Sequence, residues 1–503
     1  MLTERPSLSS AVRSLAEEVL TVSYDDIPAA ELHQAKRLLL DTLGCALASR
    51  DCAAAQAVVA SLDDLGGRPE ATVLGTGERT SALNAILANG AMVRFLDLND
   101  VQSSASRPGP RHGHNSEIYP VLLALGEREG ASGRDLLLAA WLSYEISTRF
   151  TESIPGRSLE FRGWNLDTRA SFVVPLIAGR LLGLDAGQIA NAVGIALSRG
   201  LVLEVMDHPS EVNSMAKNLR YPLTAHLGVT AAYLARNGLT GPARALEGGD
   251  GFIERVLDGE YDLDHLLDPA RQGQILHAGM KRFAACFATH GHLNATLDLV
   301  TEHDLKPEQV TAVRIKTTTR GARHTGDPSR KHPQNKETAD HSTYYVQAAL
   351  ITDRALGPGQ YTPERLNNPE INRLAEVVTI EGDPELDDVY PSAHVWIDLA
   401  DGTTVDKYIG HPVGSSQNPL SDTQVEEKFT QLASAVLDPA AIRAAIDAVW
   451  AIEDSTRWRS SGPRRPGPEP AAAAHPEGPF GPGWKVRWRS RFLQVVTLIN
   501  YSK

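Results

Sequence analysis

The chain contains little cysteine and no long apolar run. Its three cysteines, Cys45, Cys52 and Cys286, are an odd number in 503 residues, and none is spaced as C-x-x-C. This pattern excludes a disulfide framework and a zinc ribbon and is typical of a reducing compartment. No apolar run reaches about 18 residues, the length of a transmembrane helix. The N-terminal segment lacks the uninterrupted apolar region of a secretory signal. We expect a cytoplasmic protein, or a mitochondrial-matrix one if the source has mitochondria.

Several common functional signatures are also missing. The glycine-rich run "GTGERTSA" lacks the lysine of a phosphate-binding loop, and no G-x-S-x-G nucleophile elbow occurs. The pairs His112/His114 and His290/His292 do not have the i,i+4 spacing of a helical zinc site, so we expect no metal. A net charge of −13 disfavours general nucleic-acid binding. Any site for an anionic substrate must therefore concentrate its cations locally.

The first half of the chain has helical periodicity. Apolar residues recur at helical spacing at Leu32, Ala35, Leu39 and Leu43. Six later stretches, up to residue 239, show the same apolar periodicity. Alanine and glycine are frequent on these apolar faces, which lets helices approach closely. We predict an all-α domain over residues 1–272.

The periodicity changes after residue 272. Residues 309–320 alternate as a strand does, and residues 392–409 read as a hairpin with Asp401-Gly402 at its turn. Helical patterns lie between the strand and the hairpin. We therefore predict a smaller α+β domain over residues 273–407. Residues 408–455 return to helix. The fold class is therefore mostly α, with a large helical domain built from both ends of the chain and an inserted α+β domain.

The tail, residues 456–503, has a different composition. It is rich in proline, glycine and alanine, and it carries nine Lys or Arg against two Glu. Such a segment is typical of disorder. Its basic aromatic end is compatible with contact to a membrane surface or nucleic acid, but a dispensable terminus is the simpler interpretation. We expect neither a membrane nor a nucleic-acid partner.

Five short stretches place polar side chains beside apolar helices. Taken singly, each has a structural explanation, such as a helix cap, a surface charge or a hydrogen-bonded core histidine. The five sets are Asp97, Asn99, Asp100, His112 and His114; Asn165, Asp167 and Arg169; Lys217, Arg220 and His226; Lys281, Arg282, Cys286, His290 and His292; and Lys336, Asp340, His341 and Ser342.

The order of these stretches resembles the MmgE/PrpD family, which includes 2-methylcitrate dehydratase, cis-aconitate decarboxylase and iminodisuccinate epimerase. The resemblance begins with "NGAMVRFLDLND" followed by "GHNSEIYPVLLALGE". It continues with "LLLDTLGCALA", "RGWNLDTRASFVVPLIAGRLLGL", "MAKNLRYPLTAHLGVTAAYLARNGLTG", and "MKRF" with "ETADHSTYYVQAAL". It implies a homodimer that acts on small di- and tricarboxylates without metal or organic cofactor.

The resemblance also implies site residues. Asp97 and His114 correspond to active-site residues of the family, and Lys217 and Lys281 correspond to lysines of later motifs. Asp340 and His341 match an Asp-His pair of the dehydratase-like members. With these, Asp100, Asn165, Arg282, Cys286 and Asp340 are candidates for substrate binding.

The residue types suit chemistry next to a carboxylate. Removing a proton there builds negative charge, which Lys217, Lys281 and Arg282 would neutralise. His114 is the first candidate for general acid or base and His341 the second, while Asp97 would orient His114 or act as the base itself. We expect the acids and His114 to line a cleft between the two domains.

Several positions depart from the family pattern. Asn115 and Glu117 replace a proline and an aspartate, Cys286 stands where His or Glu is usual, and Asn165 with Leu166 replaces an Asp-His pair. Cys286 is either a nucleophile or, as the simpler interpretation, a buried small thiol. The substrate therefore stays open.

We expect a hydro-lyase that dehydrates a 2-methylcitrate-like hydroxy acid. Decarboxylation of a cis-aconitate type, epimerisation next to a carboxylate, and non-catalytic carboxylate binding are the alternatives.

Overall fold

The structure is a computed structural model that describes residues 10–103, 113–155, 159–269 and 273–455. His112 and the basic tail lie outside the described residues. Among the described helices, none is both long enough and apolar enough to cross a membrane.

The described residues are mostly helical. The helices are α1 Ala11–Thr21, α2 Ala29–Ala48, α3 Ala53–Ala60, α4 Leu62–Leu65, α5 Ala82–Phe95, α6 Tyr119–Glu129, α7 Gly133–Glu152, α8 Ala170–Leu181, α9 Ala186–Leu197, α10 Arg220–Arg236, α11 Phe252–Val256, α12 Leu263–Leu267, α13 His290–Glu302, α14 Thr319–Thr325, α15 Lys336–Ala339, α16 Thr343–Asp353, α17 Pro363–Leu366, α18 Pro369–Glu376, α19 Asp422–Ala433 and α20 Pro439–Trp450.

The strands are short and form three sheets. They are β1 Ala71–Thr72, β2 Arg79–Thr80, β3 Asp100–Gln102, β4 Ala278–Met280, β5 Val310–Thr317, β6 Val378–Gly382, β7 Ala393–Leu399 and β8 Thr404–Ile409. β1 pairs with β2, β3 pairs with β4, and the remaining four form a sheet in the order β6-β5-β7-β8.

The helical unit packs through small residues, as the composition predicts. A Cβ on Gly90 of α5 would lie 2.5 Å from Pro222 of α10, so these helices approach closely because residue 90 has no side chain. The chain returns to this unit at its end, where Phe429 of α19 packs against Gly44 of α2. The C-terminal helices α19 and α20 therefore share one apolar core with α1 to α10.

The smaller unit has its own core beneath the four-stranded sheet. The predicted hairpin is present, since β7 and β8 pair antiparallel from Ala393↔Ile409 to Asp398↔Thr404. β6 was not predicted, because its five residues follow α18 directly and continue that helix's apolar pattern. It pairs parallel with β5, which makes the sheet mixed.

The β3–β4 pair lies at the edge of the helical unit, whose apolar core includes Ala278 and Met280 of β4. Its register places Asp100 opposite Met280 and Gln102 opposite Ala278. Asp97 precedes β3, and Lys281 follows β4. The antiparallel pairing therefore brings the end of α5 next to a lysine that lies 184 residues later in the chain.

One stretch of the helical unit presents apolar side chains to solvent. Between residues 201 and 223, side chains 37–75% exposed are Leu201, Leu203, Val205, Val212, Met215 and Leu223. We refer to these six residues as the apolar stretch. Single exposed apolar residues are ordinary, whereas several along one segment are typical of interaction surfaces in general.

Candidate active site

Asp97 lies at the centre of the site. It follows the C-terminal end of α5 and adopts a left-handed backbone conformation with φ of 49°, which is uncommon outside glycine. Arg94 Nη1 and Lys281 Nζ each donate to Asp97 Oδ1 at 2.5 Å. Lys281 Nζ also donates to the Asp97 carbonyl at 2.8 Å. One buried carboxylate therefore holds a cation from each unit.

The carboxylate of Asp97 is ionised. Burial alone would raise its pKa, but Arg94, Lys281, Lys217 and His341 outweigh that effect and hold the pKa well below its usual range. The same contacts leave the side chain with little freedom.

A second cluster surrounds Asp340, directly after α15. Lys217 Nζ donates to Asp340 Oδ1 at 3.1 Å, and Lys336 Nζ donates to Asp340 Oδ2 at 2.6 Å. His341 Nδ1 lies 2.6 Å from Asp340 Oδ1 and 3.0 Å from Lys217 Nζ. The backbone turn after α15 thus sets the orientation of the His341 ring.

The two clusters are in contact. Lys217 Nζ lies 4.0 Å and His341 Nδ1 lies 3.6 Å from Asp97 Oδ2. Side chains from α5, from the short 3₁₀ turn Met215–Leu219, from the segment after β4 and from the end of α15 therefore converge on one point at the seam of the units.

His114 approaches the same point from the helical unit. Its Nδ1 lies 2.5 Å from the carbonyl oxygen of Asp100, and its Nε2 lies 3.7 Å from Asp97 Oδ1. A carbonyl only accepts, so Nδ1 carries the proton and donates it. Burial, Lys281 and Arg94 lower the pKa of His114 well below 6.5. His114 is therefore neutral at pH 7, with the unprotonated Nε2 available as a base.

His341, in contrast, is protonated at pH 7. Burial and Lys217 lower its pKa, but Cys286, Asp207 and Asp340 outweigh them and raise the pKa to about 9. Nε2 of His341 lies 3.5 Å from Asp207 Oδ1. The site thus pairs a neutral imidazole with a protonated one, an arrangement that separates base from acid.

A pocket of about 110 Å³ opens beside these groups. Both units contribute to its wall. From the helical unit come Arg94, Asp97, His114, Asn165, Asp207 and Arg220, and from the smaller unit come Lys281, Cys286, Arg320, His324, His341 and Tyr390.

The pocket needs glycine at position 113. Gly113 has a φ of 32°, and a Cβ there would lie 2.4 Å from Arg169 Nη1. Arg169 Nη2 donates to the His114 carbonyl at 2.9 Å, while its Nη1 donates to Asp167 at 2.7 Å. This close approach fixes the backbone on which His114 is carried.

The predicted residues do not all reach the pocket. Asp100 is buried, and its carboxylate accepts from Ser116 N and Oγ and from Tyr144 OH. Arg282 points to solvent, with its Nη1 3.5 Å from Asn294 Oδ1. Asp100 therefore supports His114 through its carbonyl, and the structure places Arg282 away from the pocket because Lys281, its neighbour, takes the inward direction.

Other predicted residues take part in different ways. Asp340 and Lys217 lie behind the pocket wall and act on His341 and Asp97. Asn165 lines the pocket, and its Nδ2 donates to Glu204 Oε2 at 2.8 Å. Cys286 lines the pocket at 8% exposure.

Several pocket residues were not among the predicted ones. Arg94 belongs to the motif that contains Asp97, and the sequence analysis assigned it no role. Asp207, Arg320, His324 and Tyr390 lie in segments with no motif. A signal for Arg220 was present, since it follows Lys217 in "KNLR"; its guanidinium pairs with Asp207 Oδ2 at 2.8 Å.

Two groups of side chains have the donor types of a metal site. They are Cys286, His324 and His341, and Asp97, Asp340 and His341, with donor atoms within 4.8 Å of one another in each group. The second group already holds Lys217, Lys281 and Lys336 as cations. Amines in these positions disfavour an additional divalent ion by charge repulsion.

Comparisons with known proteins give the family. Residues 13–264 match the MmgE/PrpD N-terminal domain, and residues 283–452 match the MmgE/PrpD C-terminal domain. A cis-aconitate decarboxylase-like protein of Aspergillus oryzae is 24% identical over 90% of this chain and 97% of its own length.

Relatives of two activities are similar to the chain. The human cis-aconitate decarboxylase is 26% identical over 89% of this chain and 92% of its own. A 2-methylcitrate dehydratase of Cupriavidus necator is 24% identical over 82% of this chain and 88% of its own. These identities support the family and do not select between its activities.

We expect Asp97→Asn to lower the free energy of unfolding by about 3 kcal/mol at pH 7, because it leaves Arg94 and Lys281 buried without a counter-charge. The folded pKa of Asp97 is depressed, so its contribution is present above the unfolded pKa of about 3.9 and is lost as pH falls through the folded value. Urea unfolding between pH 5 and 8 measures the difference, which should persist across that range.

The matched control is Asp304→Asn, which removes an exposed carboxylate paired with Arg354. This substitution should change the urea midpoint of unfolding little. An Asp97→Asn midpoint equal to that of the control would show that Asp97 does not hold the two cations.

Proposed function

The chain belongs to the MmgE/PrpD family, and from this premise we propose that it is a cofactor-independent lyase acting on a small di- or tricarboxylate at the seam of the two units. The observation that carries the proposal is the convergence of Lys281, Lys217 and Arg94 on Asp97, beside one neutral and one protonated histidine. This arrangement suits proton transfer at a carbon next to a carboxylate.

The charge balance of the site favours an anionic ligand. The pocket wall carries Arg94, Arg220, Lys281, Arg320 and the protonated His341 against the carboxylates of Asp97, Asp167, Asp207 and Glu160, which leaves a small excess of positive charge. Glu117 does not cancel this excess, because burial and Asp167 raise its pKa to about 8 and leave it largely neutral at pH 7. A substrate carboxylate would therefore enter a locally cationic pocket in a protein of net charge −13.

The best-supported reaction is dehydration of a 2-methylcitrate-like hydroxy acid. His114 Nε2 would take the proton next to a substrate carboxylate, and Lys281 with Arg94 would stabilise the charge that develops there. The C–O bond to the β-hydroxyl would then break while His341 donates its proton, so that water leaves. Asp97 would keep both cations and the two imidazoles in position.

Decarboxylation is the second candidate, because relatives named for that activity are also similar to the chain. The three fungal cis-aconitate decarboxylase relatives each cover 90% of the chain, whereas the 2-methylcitrate dehydratase relatives cover 82–85%. In that reaction a C–C bond breaks, carbon dioxide leaves, and His341 would protonate the carbon skeleton. The same residues would act, with His341 as donor to carbon instead of oxygen.

We expect the purified protein to turn over at least one of 2-methylcitrate, citrate, cis-aconitate and iminodisuccinate. His114→Ala should lower kcat by about 10²–10⁴-fold, since it removes the base. His226→Ala, in α10 and outside the pocket lining, is the matched control and should retain activity. Ultraviolet absorbance and NMR report elimination, released carbon dioxide reports decarboxylation, and deuterium uptake without elimination reports epimerisation.

Two results would reject this proposal. If the folded protein turns over none of these polycarboxylates, only a binding role remains. A thermal-shift assay with the same compounds would reveal such binding. Full activity in His114→Ala would remove His114 from the mechanism.

We expect kcat/KM to be flat between about pH 6.5 and 8 and to fall as pH rises through about 9. The plateau follows from the lowered pKa of His114, which keeps the base unprotonated, and the fall follows from loss of the His341 proton at its pKa of about 9. Initial rates at low substrate over pH 5.5–10 measure the profile. An ascending limb centred near pH 6.5 would contradict the assigned state of His114, and an alkaline limb unchanged in His341→Gln would contradict that of His341.

We also propose that the chain forms a homodimer through the apolar stretch. The family usually forms homodimers, and Val212 and Leu223 of this stretch are 75% and 54% exposed. The stretch spans residues 201–223 and so flanks Lys217 in the sequence.

Light scattering should give about twice the chain mass of 54.3 kDa. The double substitution Val212→Asp with Leu223→Asp should shift the protein to monomer, because it buries two carboxylates in an apolar contact. Leu239→Asp, at an exposed apolar residue outside the stretch, is the control. A wild-type monomer at micromolar concentration, or a dimer that the double variant leaves intact, would reject this interface.

A further inference from the structure

Cys286 and His324, which the proposed reaction does not use, form a cluster with His341. The Sγ of Cys286 and one ring nitrogen each of His324 and His341 lie within 4.8 Å of one another. The two rings meet edge to face with centroids 5.5 Å apart. The backbone N–H of Cys286 donates to the Asp340 carbonyl at 2.8 Å, which ties the thiol to the segment that carries His341.

The groups facing the thiol favour its ionised form. Burial alone would raise the pKa of Cys286, but the imidazoles of His341 and His324 outweigh it and hold the pKa well below its usual range. Lys281 adds positive charge from the segment after β4, and the phenol of Tyr390 also faces the thiol. The carboxylates that bear on His341 are those of Asp97, Asp207 and Asp340.

The other two cysteines provide an internal contrast. Cys45 is fully buried in α2, and burial raises its pKa. Cys52 is partly exposed at the start of α3, where burial raises its pKa to about 11. All three thiols are free, so only environment distinguishes them.

We propose that Cys286 is a covalent modification site of the pocket, alkylated by small carboxylate-bearing electrophiles that enter as the substrate does. The pocket supplies what such a compound needs, namely cations for its carboxylate and a nucleophile on the wall. The inference rests on the proposed function in one respect, that carboxylates enter this pocket.

The chemical class is that of α,β-unsaturated carboxylates, to which the product of the proposed dehydration belongs. The thiolate sulfur forms a bond to the β-carbon, and the π pair moves to the α-carbon. That carbon takes the proton of the His341 imidazolium. The product is a thioether and a neutral imidazole, and no oxidant or reductant takes part.

Iodoacetate is the test probe, with uncharged iodoacetamide as its comparator. With iodoacetate the S–C bond forms, the C–I bond breaks and iodide leaves. At pH 7 we expect Cys286 to be labelled faster than Cys52 by about tenfold or more, since the thiolate is the nucleophile. Peptide mass spectrometry of the full chain, sampled over time, measures both rates at once.

Three further readouts separate pocket chemistry from simple exposure. The iodoacetate-to-iodoacetamide rate ratio at Cys286 should exceed that of glutathione, because the pocket attracts the anion. Citrate should slow the labelling of Cys286 and leave the labelling rate of Cys52 unchanged. Between pH 6 and 8 the Cys286 rate should stay nearly flat, while the Cys52 rate rises with pH.

Each substitution near Cys286 is compared with a control variant or with the wild type. His324→Asn should slow labelling of Cys286 and restore a rise of its rate with pH, whereas His332→Asn, an exposed histidine of the same unit, should change neither. Cys286→Ser should abolish the label at this position.

Each outcome decides the proposal. Labelling of Cys286 no faster than that of Cys52, or no protection by citrate, would overturn it. Stoichiometric zinc in the purified protein, with labelling only after chelation, would show a metal site instead. Selective, citrate-sensitive labelling in a protein that turns over no polycarboxylate would sustain this inference while the proposed reaction fails.

Discussion

The site depends on one shared carboxylate. Asp97 Oδ1 accepts hydrogen bonds from Arg94, on its own helix, and from Lys281, which arrives from the other unit across the β3–β4 pair. Neither cation would remain buried without this counter-charge, and the left-handed backbone of Asp97 directs the carboxylate toward both. The positions of Lys217, His341 and His114, all within 4.0 Å of the Asp97 carboxylate, follow from the same centre.

Neighbouring charges give the two histidines of the site different protonation states. His114 is placed against a carbonyl and among cations, so it stays neutral, while His341 is placed among carboxylates and a thiol, so it stays protonated. The difference arises from neighbours and not from the imidazoles themselves. This separation is why a lyase reaction, which needs a base and an acid at once, is the function that the geometry supports best.

Much of this architecture could be predicted from the sequence, and the failures have physical reasons. Periodicity predicted the helices and the β7–β8 hairpin, while β6 was hidden because it continues the apolar pattern of α18. Motif order predicted Asp97, His114 and Lys281. The direction of adjacent side chains could not be predicted, which is why Arg282 was included beside Lys281 although extended neighbours point opposite ways. His324 and Arg320 come from segments without a motif, and only tertiary packing brings them to the pocket.

The pocket wall that the two units share has a thermodynamic consequence. Each unit carries half of the wall, so a ligand held between them gains affinity only while the units stay docked, and linkage makes that dependence mutual. Occupancy at a concentration 100 times the Kd would tighten the docking by about 2.7 kcal/mol. The free energy that keeps Lys281 beside Asp97 would therefore rise with the concentration of the metabolite that fills the pocket.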